Sequence, residues 1–256
     1  MNIYQNYIGG EWLESVSEKT ADNINPANTN DIIGTIKLST REEARRAVEA
    51  AYDAFKGWRN TPAPTRGKIV AKFARLLEDN KEELSQILTR EEGKTLAESR
   101  GELSRSINVA EFCAGESRRL NGETIQSELA ANFAYTIKEP HGVVALITPW
   151  NFPVAIPVWK IAPALVAGNT IVFKPAEATP ATAVRIVEIF EAAGVPRGVL
   201  NLILGAGEEI GEEIANHAAV KAVSFTGSTE IGIKLYEQVA RRGAKVQCEM
   251  GGKNPV

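Results

Sequence analysis

Five short apolar runs, each separated from the next by a segment of helical length, constrain the fold of this chain more than any other feature. They are VVALI (143–147), TIVF (170–173), VLNLIL (199–204), KAVSF (221–225) and KVQCEM (245–250). Near-continuous apolar strands are buried on both faces, as in parallel sheets. Crossovers between such strands are right-handed in nearly all folds. We therefore predict an α/β fold with a doubly wound, Rossmann-like parallel sheet over residues 141–256.

The first half of the chain has a helical pattern instead. In STREEARRAVEAAYDAFKGW, Thr40 and Glu43 have the spacing of a capping box, and apolar residues follow at helical intervals. We predict an N-terminal helical region over residues 1–121, with interruptions at Gly93 and Gly101.

Between the two halves, the stretch TIQSELAANFAYTIKEP loses the helical period and gains β-branched and aromatic residues. Such composition favours extended structure. We predict a β-hairpin or arm over residues 122–140.

The helix between the second and third apolar runs has well-marked ends. Thr179 suits the N-cap, Pro180 suits the first turn, and Gly194 follows the last apolar residue. We expect one crossover helix between these signals.

The composition excludes several classes of partner. Of the 256 residues, 44% are hydrophobic, and 29 basic and 32 acidic residues are interspersed to a net charge of −3. This distribution gives no basic patch that would bind nucleic acid or anionic lipid. With no apolar run of ~18 residues and no signal-peptide pattern in MNIYQNYIGGEWLE, we expect a cytoplasmic protein without a membrane span. Cys113, Cys248 and two histidines give no metal-ligand spacing, which leaves a small molecule or another subunit as the partner.

Five loops follow the five predicted strands, and in a parallel sheet such loops meet at one ligand-binding edge. They read TPWNFP, KPAE, GAGEEIG, TGSTEIG and EMGG. GAGEEIG nearly matches the G-x-G-x-x-G dinucleotide motif but has an extra residue before its last glycine. TGSTEIG places Gly227 and Ser228 at a helix start, where backbone N–H groups can hold a pyrophosphate. Either loop alone is equally consistent with a glycine-rich turn before a capped helix.

KPAE and TPWNFP carry polar groups with two possible roles each. Lys174 and Glu177 can hydrogen-bond a ribose, and a carboxylate at the 2′-hydroxyl favours NAD over NADP. A solvated lysine and an acid favoured by a helix dipole fit the same residues. Asn151, between two prolines that restrict the backbone, is a candidate oxyanion donor, although an isolated Asn-x-Pro is more often an ordinary turn.

The motifs PWNFP, FKPAE, FTGSTEIG and EMGGKNP occur in this order, and with them the chain resembles the NAD(P)-dependent aldehyde dehydrogenase superfamily from about residue 7 to Val256. The resemblance implies that Asn151 donates to the oxyanion of a thiohemiacetal and that Glu249 is the general base. Cofactor contacts are implied for Ile147, Thr148, Pro149, Trp150, Lys174, Ala176, Glu177, Gly207, Gly211, Phe225, Thr226, Gly227, Ser228, Ile231, Met250 and Gly251.

The family's nucleophilic cysteine is expected in a catalytic domain beyond Glu249, which these residues do not include. Cys113 lies in the helical half, and strand alternation points Cys248 away from Glu249. We therefore expect the inactive N-terminal portion of an enzyme that oxidises an aldehyde to a carboxylate with NAD(P)+. The alternative is a non-catalytic NAD(P)-binding or assembly module, which needs neither a base nor an oxyanion donor. A coenzyme A-acylating relative is disfavoured by Glu249, which would divert the thioester to water.

The resemblance also implies partners. The predicted arm fits the family's oligomerisation hairpin, so we expect a homo-oligomer, dimer or tetramer, for the complete protein. The sequence is most similar in general appearance to semialdehyde dehydrogenases, such as those for α-ketoglutaric or succinic semialdehyde. Phe112 and Trp159 are candidates for lining the aldehyde tunnel. NAD is the expected cofactor, and Lys174 could tolerate the 2′-phosphate of NADP.

Overall fold

The computed structural model describes residues 2–252, which form strands first and then four helices in the N-terminal half. In chain order these elements are β1 (Ile3–Tyr4), β2 (Asn6–Ile8), β3 (Glu11–Leu13), β4 (Thr20–Ile24), β5 (Ile32–Lys37), α1 (Arg41–Arg59), α2 (Ala63–Asp79), α3 (Lys81–Glu92) and α4 (Leu96–Glu116).

The second half alternates strands with helices. Its elements are β6 (Thr124–Ile125), β7 (Ala134–Tyr135), β8 (Val143–Ile147), α5 (Ala155–Ala167), β9 (Thr170–Lys174), α6 (Pro180–Ala193), β10 (Leu200–Leu202), a π-helical turn (Gly207–Gly211), α7 (Glu212–Asn216), β11 (Val220–Gly227), α8 (Thr229–Arg241) and β12 (Lys245–Met250). The predicted doubly wound α/β fold is thereby confirmed.

A seven-stranded sheet in the order β12-β11-β8-β9-β10-β2-β3 forms the centre of the molecule. Its first five strands are the five predicted apolar runs, and all of them are parallel. The last two strands are antiparallel additions from the N-terminus that the sequence reading missed. The region described as helical therefore also contains strands, including a separate sheet of β1, β5 and β4.

Side chains alternate between the two faces of the large sheet, and each face has its own core. On β8, Val144 and Leu146 pack with helices α2 to α6, whereas Val143, Ala145 and Ile147 pack with α1, α7 and α8. Because all five residues of β8 are buried, the strand is apolar along its whole length.

The helix signals of the first half are mostly confirmed. Thr40 and Glu43 form the predicted capping box, and Gly93 ends α3 in a left-handed conformation with φ 93°. Gly101 does not interrupt a helix, so that prediction was wrong. It lies inside α4 on the exposed side, where a glycine costs only about 1 kcal/mol relative to alanine.

Two buried asparagines attach β2 to the parallel strands. The Asn6 side chain accepts from the Leu204 backbone N–H at 2.8 Å and donates to the Ser39 hydroxyl at 2.8 Å. The Asn201 side chain accepts from Gly9 N–H at 2.8 Å and donates to the carbonyl of Ile171. Since an unpaired buried amide would cost stability, these bonds specify where β2 joins the sheet.

The predicted arm is a hairpin in which β6 and β7 pair antiparallel, Thr124 with Tyr135 and Ile125 with Ala134. Most of residues 122–140 are exposed. Among residues 2–252, no helix combines the length and the apolarity that a membrane crossing requires.

Candidate cofactor and catalytic site

The register of the parallel strands brings the polar loops to one edge of the sheet. Ile147 is paired with Lys174 on one side and with Phe225 on the other, and Thr226 is paired with Glu249. These residues are the last or nearly the last of their strands. The loops that follow the strands therefore meet at the carboxyl edge, as the sequence predicts.

Lys174 is the most buried charged group at this edge. The residue is 5% exposed, and its ammonium lies 3.6 Å from Glu177 Oε1 and donates to the carbonyl of Pro175 at 3.0 Å. Burial lowers the pKa of Lys174, and the carboxylate of Glu177 opposes that shift. The interpretation as a solvated lysine is therefore wrong.

Glu177 connects the KPAE loop to the GAGEEIG loop. The backbone N–H of Gly207 donates to Glu177 Oε1 at 2.9 Å. A Cβ built on Gly207 or on Gly211 would lie 3.9 Å from carbons of the Lys174 side chain, so both glycines contact its stem. Ala176 is half-buried beside the exposed Glu177. The structure thus brings these five predicted residues into one cluster.

The TGSTEIG loop starts α8 as predicted. Ser228 is the N-cap, and its hydroxyl accepts a 3.5 Å hydrogen bond from the N–H of Ile231. A Cβ on Gly227 would come within 2.5 Å of the Phe225 ring, so only glycine fits over that buried side chain. The first N–H groups of α8 have no partner within a helix, and they are the natural place for an anion.

Met250 and Gly251 lie next to the same helix. A Cβ on Gly232 of α8 would clash with the Met250 side chain, and the Thr229 hydroxyl donates to the Gly251 carbonyl at 3.3 Å. The end of β12 and the start of α8 are therefore fixed against each other.

The TPWNFP loop continues directly from β8. Thr148 is buried, and its N–H donates to the carbonyl of Lys174 at 3.1 Å. Pro149 is half-buried, whereas Trp150 and Asn151 are exposed. The structure therefore places the Asn151 carboxamide at the surface of the same edge.

Glu249 lies on the other face of β12 from Cys248. Its carboxylate is exposed and accepts a 2.8 Å hydrogen bond from the Gln247 amide. Cys248 packs with the α1, α7 and α8 core, and its thiol donates to the carbonyl of Gly232. The predicted alternation is confirmed.

Glu249 opens onto a cavity of about 590 Å³ that also contacts Trp159 and Lys160 of α5. The Lys160 ammonium donates to Ser224 Oγ at 2.6 Å, and that hydroxyl donates to Gln247 Oε1 at 2.5 Å. Burial lowers the pKa of Lys160 to about 8, and the charge of Glu249 opposes the shift. A chain of hydrogen bonds thus connects Lys160 to Glu249.

The sequence reading missed Lys160, Ser224 and Gln247. A signal was present, since Ser224 and Gln247 each lie two residues before a predicted site residue, Thr226 and Glu249. Residues two apart on a strand share a face, so Ser224 and Gln247 are expected on the same face of the sheet as Thr226 and Glu249. Phe112, predicted near the aldehyde tunnel, is exposed on α4 and is not among the residues that line this cavity.

The fold defines a class, the Rossmann-like α/β proteins with polar loops at the carboxyl edge of a parallel sheet. Comparison with known proteins identifies one family within that class. The sequence model of the aldehyde dehydrogenase family matches residues 12–256. The chain belongs to the aldehyde dehydrogenase family.

Three relatives illustrate the match. The α-ketoglutaric semialdehyde dehydrogenase of Bacillus subtilis is 47% identical over 255 residues, which are 100% of this chain and 52% of that protein. The D-glyceraldehyde dehydrogenase (NADP(+)) of Thermoplasma acidophilum is 40% identical over 97% of this chain and 50% of its own length. A crystal structure of betaine aldehyde dehydrogenase from Staphylococcus aureus with NAD+ superimposes with a TM-score of 0.95 at 42% identity, over 98% of this chain and 50% of that one. The chain spans about half the length of these relatives.

Proposed function

We propose that this chain is the NAD(P)-binding portion of an aldehyde dehydrogenase whose complete form oxidises an aldehyde to a carboxylate. The observation that carries the proposal is the cluster of Lys174, Glu177 and Gly207 at the carboxyl edge of the sheet. A buried ammonium and a partly exposed carboxylate suit the two hydroxyls of a ribose. The free N–H groups at the start of α8 suit the adjoining pyrophosphate.

The residues proposed for catalysis act at the same edge. When bound, the nicotinamide cofactor accepts the hydride. Asn151 donates a hydrogen bond to the oxygen that becomes negative when a thiolate attacks the aldehyde. Glu249 then takes a proton from the water that hydrolyses the thioester, a step that suits a carboxylate beside a partly buried cavity.

We propose that the nucleophilic cysteine belongs to a part of the protein outside these 256 residues, and that this portion alone does not oxidise aldehydes. Burial raises the pKa of the Cys113 thiol, which disfavours its reactive thiolate. Cys248 faces the α8 side of the sheet, away from Glu249. Both placements favour a nucleophile from another part of the protein.

NAD is the proposed cofactor, because the Glu177 carboxylate would repel the 2′-phosphate of NADP. The bound NAD+ of the Staphylococcus aureus structure supports the choice. NADP remains the second candidate, since the Thermoplasma acidophilum relative is named for it and Lys174 offers a positive charge.

The proposed substrate is an aldehyde with a second, negatively charged end. The Bacillus subtilis relative is named for such a semialdehyde. In this chain the Arg105 guanidinium lies 4.8 Å from the centroid of the Trp159 ring, beside the cavity that Glu249 opens onto. A cation in that place would attract a carboxylate.

The cofactor proposal is tested by titrating the protein with NADH and following its fluorescence. Lys174→Ala is expected to weaken binding about 10-fold or more, because it removes a hydrogen bond from a charged group. Lys72→Ala is the matched control, since the exposed Lys72 also donates to a backbone carbonyl, that of Ala192. Equal affinity of Lys174→Ala and the wild type would remove Lys174 from the cofactor site.

The same titration with NADPH, carried out on the wild type and on Glu177→Ala, shows whether the Glu177 carboxylate selects NADH over NADPH.

A further inference from the structure

Two residues of the helical half, Lys94 and Glu102, form a buried ion pair. Lys94 lies between α3 and α4, Glu102 lies on α4, and Lys94 Nζ is 2.6 Å from Glu102 Oε2. Their side chains are only 11% and 1% exposed. Glu92 Oε2 lies 3.8 Å from the same ammonium. Desolvation of two charges offsets most of their attraction, so such a pair contributes little to the net stability of the fold. The other groups that the two side chains contact therefore indicate what the pair does.

The ammonium of Lys94 contacts the TPWNFP loop. Its Nζ donates to the backbone carbonyl of Asn151 at 2.8 Å. It also lies 4.4 Å from the centroid of the Phe152 ring, within the range of a cation–π interaction. One charged group therefore restrains two consecutive residues of the loop.

The carboxylate of Glu102 holds the end of the same loop. Its Oε1 accepts from the N–H groups of Val154 and Ala155, both at 2.9 Å. These two groups start α5 and have no partner within the helix, and no side chain of the adjacent residues caps it. A carboxylate is favoured there by the helix dipole. Glu102, a residue of another helix, thus caps the N-terminus of α5.

We infer that Lys94 and Glu102 are positioning residues that hold the backbone of Asn151 so that its side chain points to the reacting oxygen. This inference rests on the proposed role of Asn151. Pro149 and Pro153 limit the backbone angles of the loop, but they do not fix its place relative to the sheet. The ion pair does so, through Lys94 at Asn151 and Phe152 and through Glu102 at the start of α5. A displacement of about 1 Å at a catalytic group can lower a rate about 100-fold, so such a restraint matters.

Nitrogen-15 relaxation of this chain tests the restraint independently of activity. In Lys94→Met, the backbone order parameters of Asn151 and Phe152 are expected to fall from about 0.85 to below about 0.6. Lys72→Met, which also removes an ammonium from a backbone carbonyl, is expected to leave them unchanged. Should the single variant fold poorly, the double variant Lys94→Met/Glu102→Gln removes both charges together and gives the same readout. Unchanged order parameters in the folded variants would overturn the inference.

The catalytic consequence is measured in the full-length protein by the rate of the NADH burst. Asn151→Ala is expected to slow the burst about 100-fold, the usual effect of removing an oxyanion donor. Lys94→Met is expected to slow it about 10-fold with Asn151 present, but less than about 2-fold in the Asn151→Ala background, because both changes act through one group. Equal effects in the two backgrounds would show that Lys94 does not act through Asn151, and the inference would be wrong.

The outcomes also separate this inference from the proposed function. A burst that Asn151→Ala leaves unchanged would refute the proposed role of Asn151 and, with it, the catalytic consequence of the ion pair. A slow burst in Asn151→Ala with a normal burst in Lys94→Met would refute only the positioning role.

Discussion

Lys160 shows at the scale of a single residue how burial changes the chemistry of a site. Its ammonium lies beside apolar residues of α5, donates to Ser224 and shares a cavity with Glu249 of β12. Burial lowers its pKa from 10.5 to about 8, so a fraction of the amine is neutral at mildly alkaline pH. A lysine in such a state can both give and accept a proton beside Glu249.

A pH-dependent stability follows from this shift. Between pH 8 and 10.5 the unfolded chain keeps a proton on Lys160 that the folded chain has lost. The free energy of unfolding of the wild type should therefore rise with pH across this window, relative to Lys160→Met, by about 1–3 kcal/mol. Urea unfolding at several pH values measures the difference, and Lys234→Met, at an exposed lysine, supplies the baseline. A difference that does not vary with pH would mean that the ammonium is well solvated.

At the scale of elements, helix α6 shows how a local signal and a distant contact combine. Thr179, Pro180 and Gly194 mark its ends as predicted, and Gly194 has φ 99°. Thr179 makes no capping hydrogen bond with its side chain. Instead, the buried carboxylate of Glu91 accepts from the N–H groups of Ala181 at 2.7 Å and Thr182 at 2.9 Å. The cap comes from the end of α3, ninety residues earlier in the chain.

Removal of this distant cap should destabilise the protein. Glu91→Ala leaves two backbone N–H groups and the Asn23 amide without their acceptor in a buried place. We expect a loss of about 2–4 kcal/mol in the free energy of unfolding, measured by urea titration. Glu49→Ala, which removes an exposed carboxylate from α1, should change it by less than about 0.5 kcal/mol. A similarly small effect of Glu91→Ala would mean that water replaces the carboxylate.

These elements also show what could be predicted from the sequence. The parallel strands and the ends of α6 depend on runs and caps within one segment, and such signals can be read directly. The hairpin of β2 and β3 was missed because each strand has only three residues. Its signal was the pair Gly9 and Gly10, which have positive φ angles and join the two strands.

Some residues of the candidate site could likewise be predicted from the sequence, and others could not. Lys174, Glu177 and Gly207 belong to motifs that follow predicted strands, so their meeting at one edge followed from the parallel topology. Lys94, Glu102 and Lys160 lie in helices or between them, and only the packing of helices on the sheet brings them to the loops. No spacing within the sequence encodes those contacts.

At the scale of the whole molecule, the arm that contains β6 and β7 combines several exposed apolar side chains. Side chains that are more than half exposed include Ile125, Leu129, Phe133, Tyr135 and Ile137. Several such residues in one short arm are typical of a surface that another chain covers. We propose that this chain is a second copy of the protein, which the arm joins at the edge of a sheet.

Charges in the arm should therefore weaken assembly. In the full-length protein, Phe133→Asp/Tyr135→Asp is expected to lower the mass measured by sedimentation velocity, because two carboxylates cannot be buried without partners. Val16→Asp is the matched control, since Val16 is 77% exposed outside the arm, about as much as Phe133 at 76%. An unchanged mass for the arm variant, or an equal loss for the control, would argue against an assembly role of the hairpin.

The two asparagines that attach β2 to the sheet also impose an order on biosynthesis. Asn6 bonds to a residue 198 positions later, and Gly9 bonds to Asn201, 192 positions later. At about 5–20 residues per second, a ribosome needs roughly 10–40 s to make the chain between these partners. The segment around β2 thus reaches its final place only after Asn201 and Leu204 have been made. Until then, β2 has no strand of the parallel sheet to pair with.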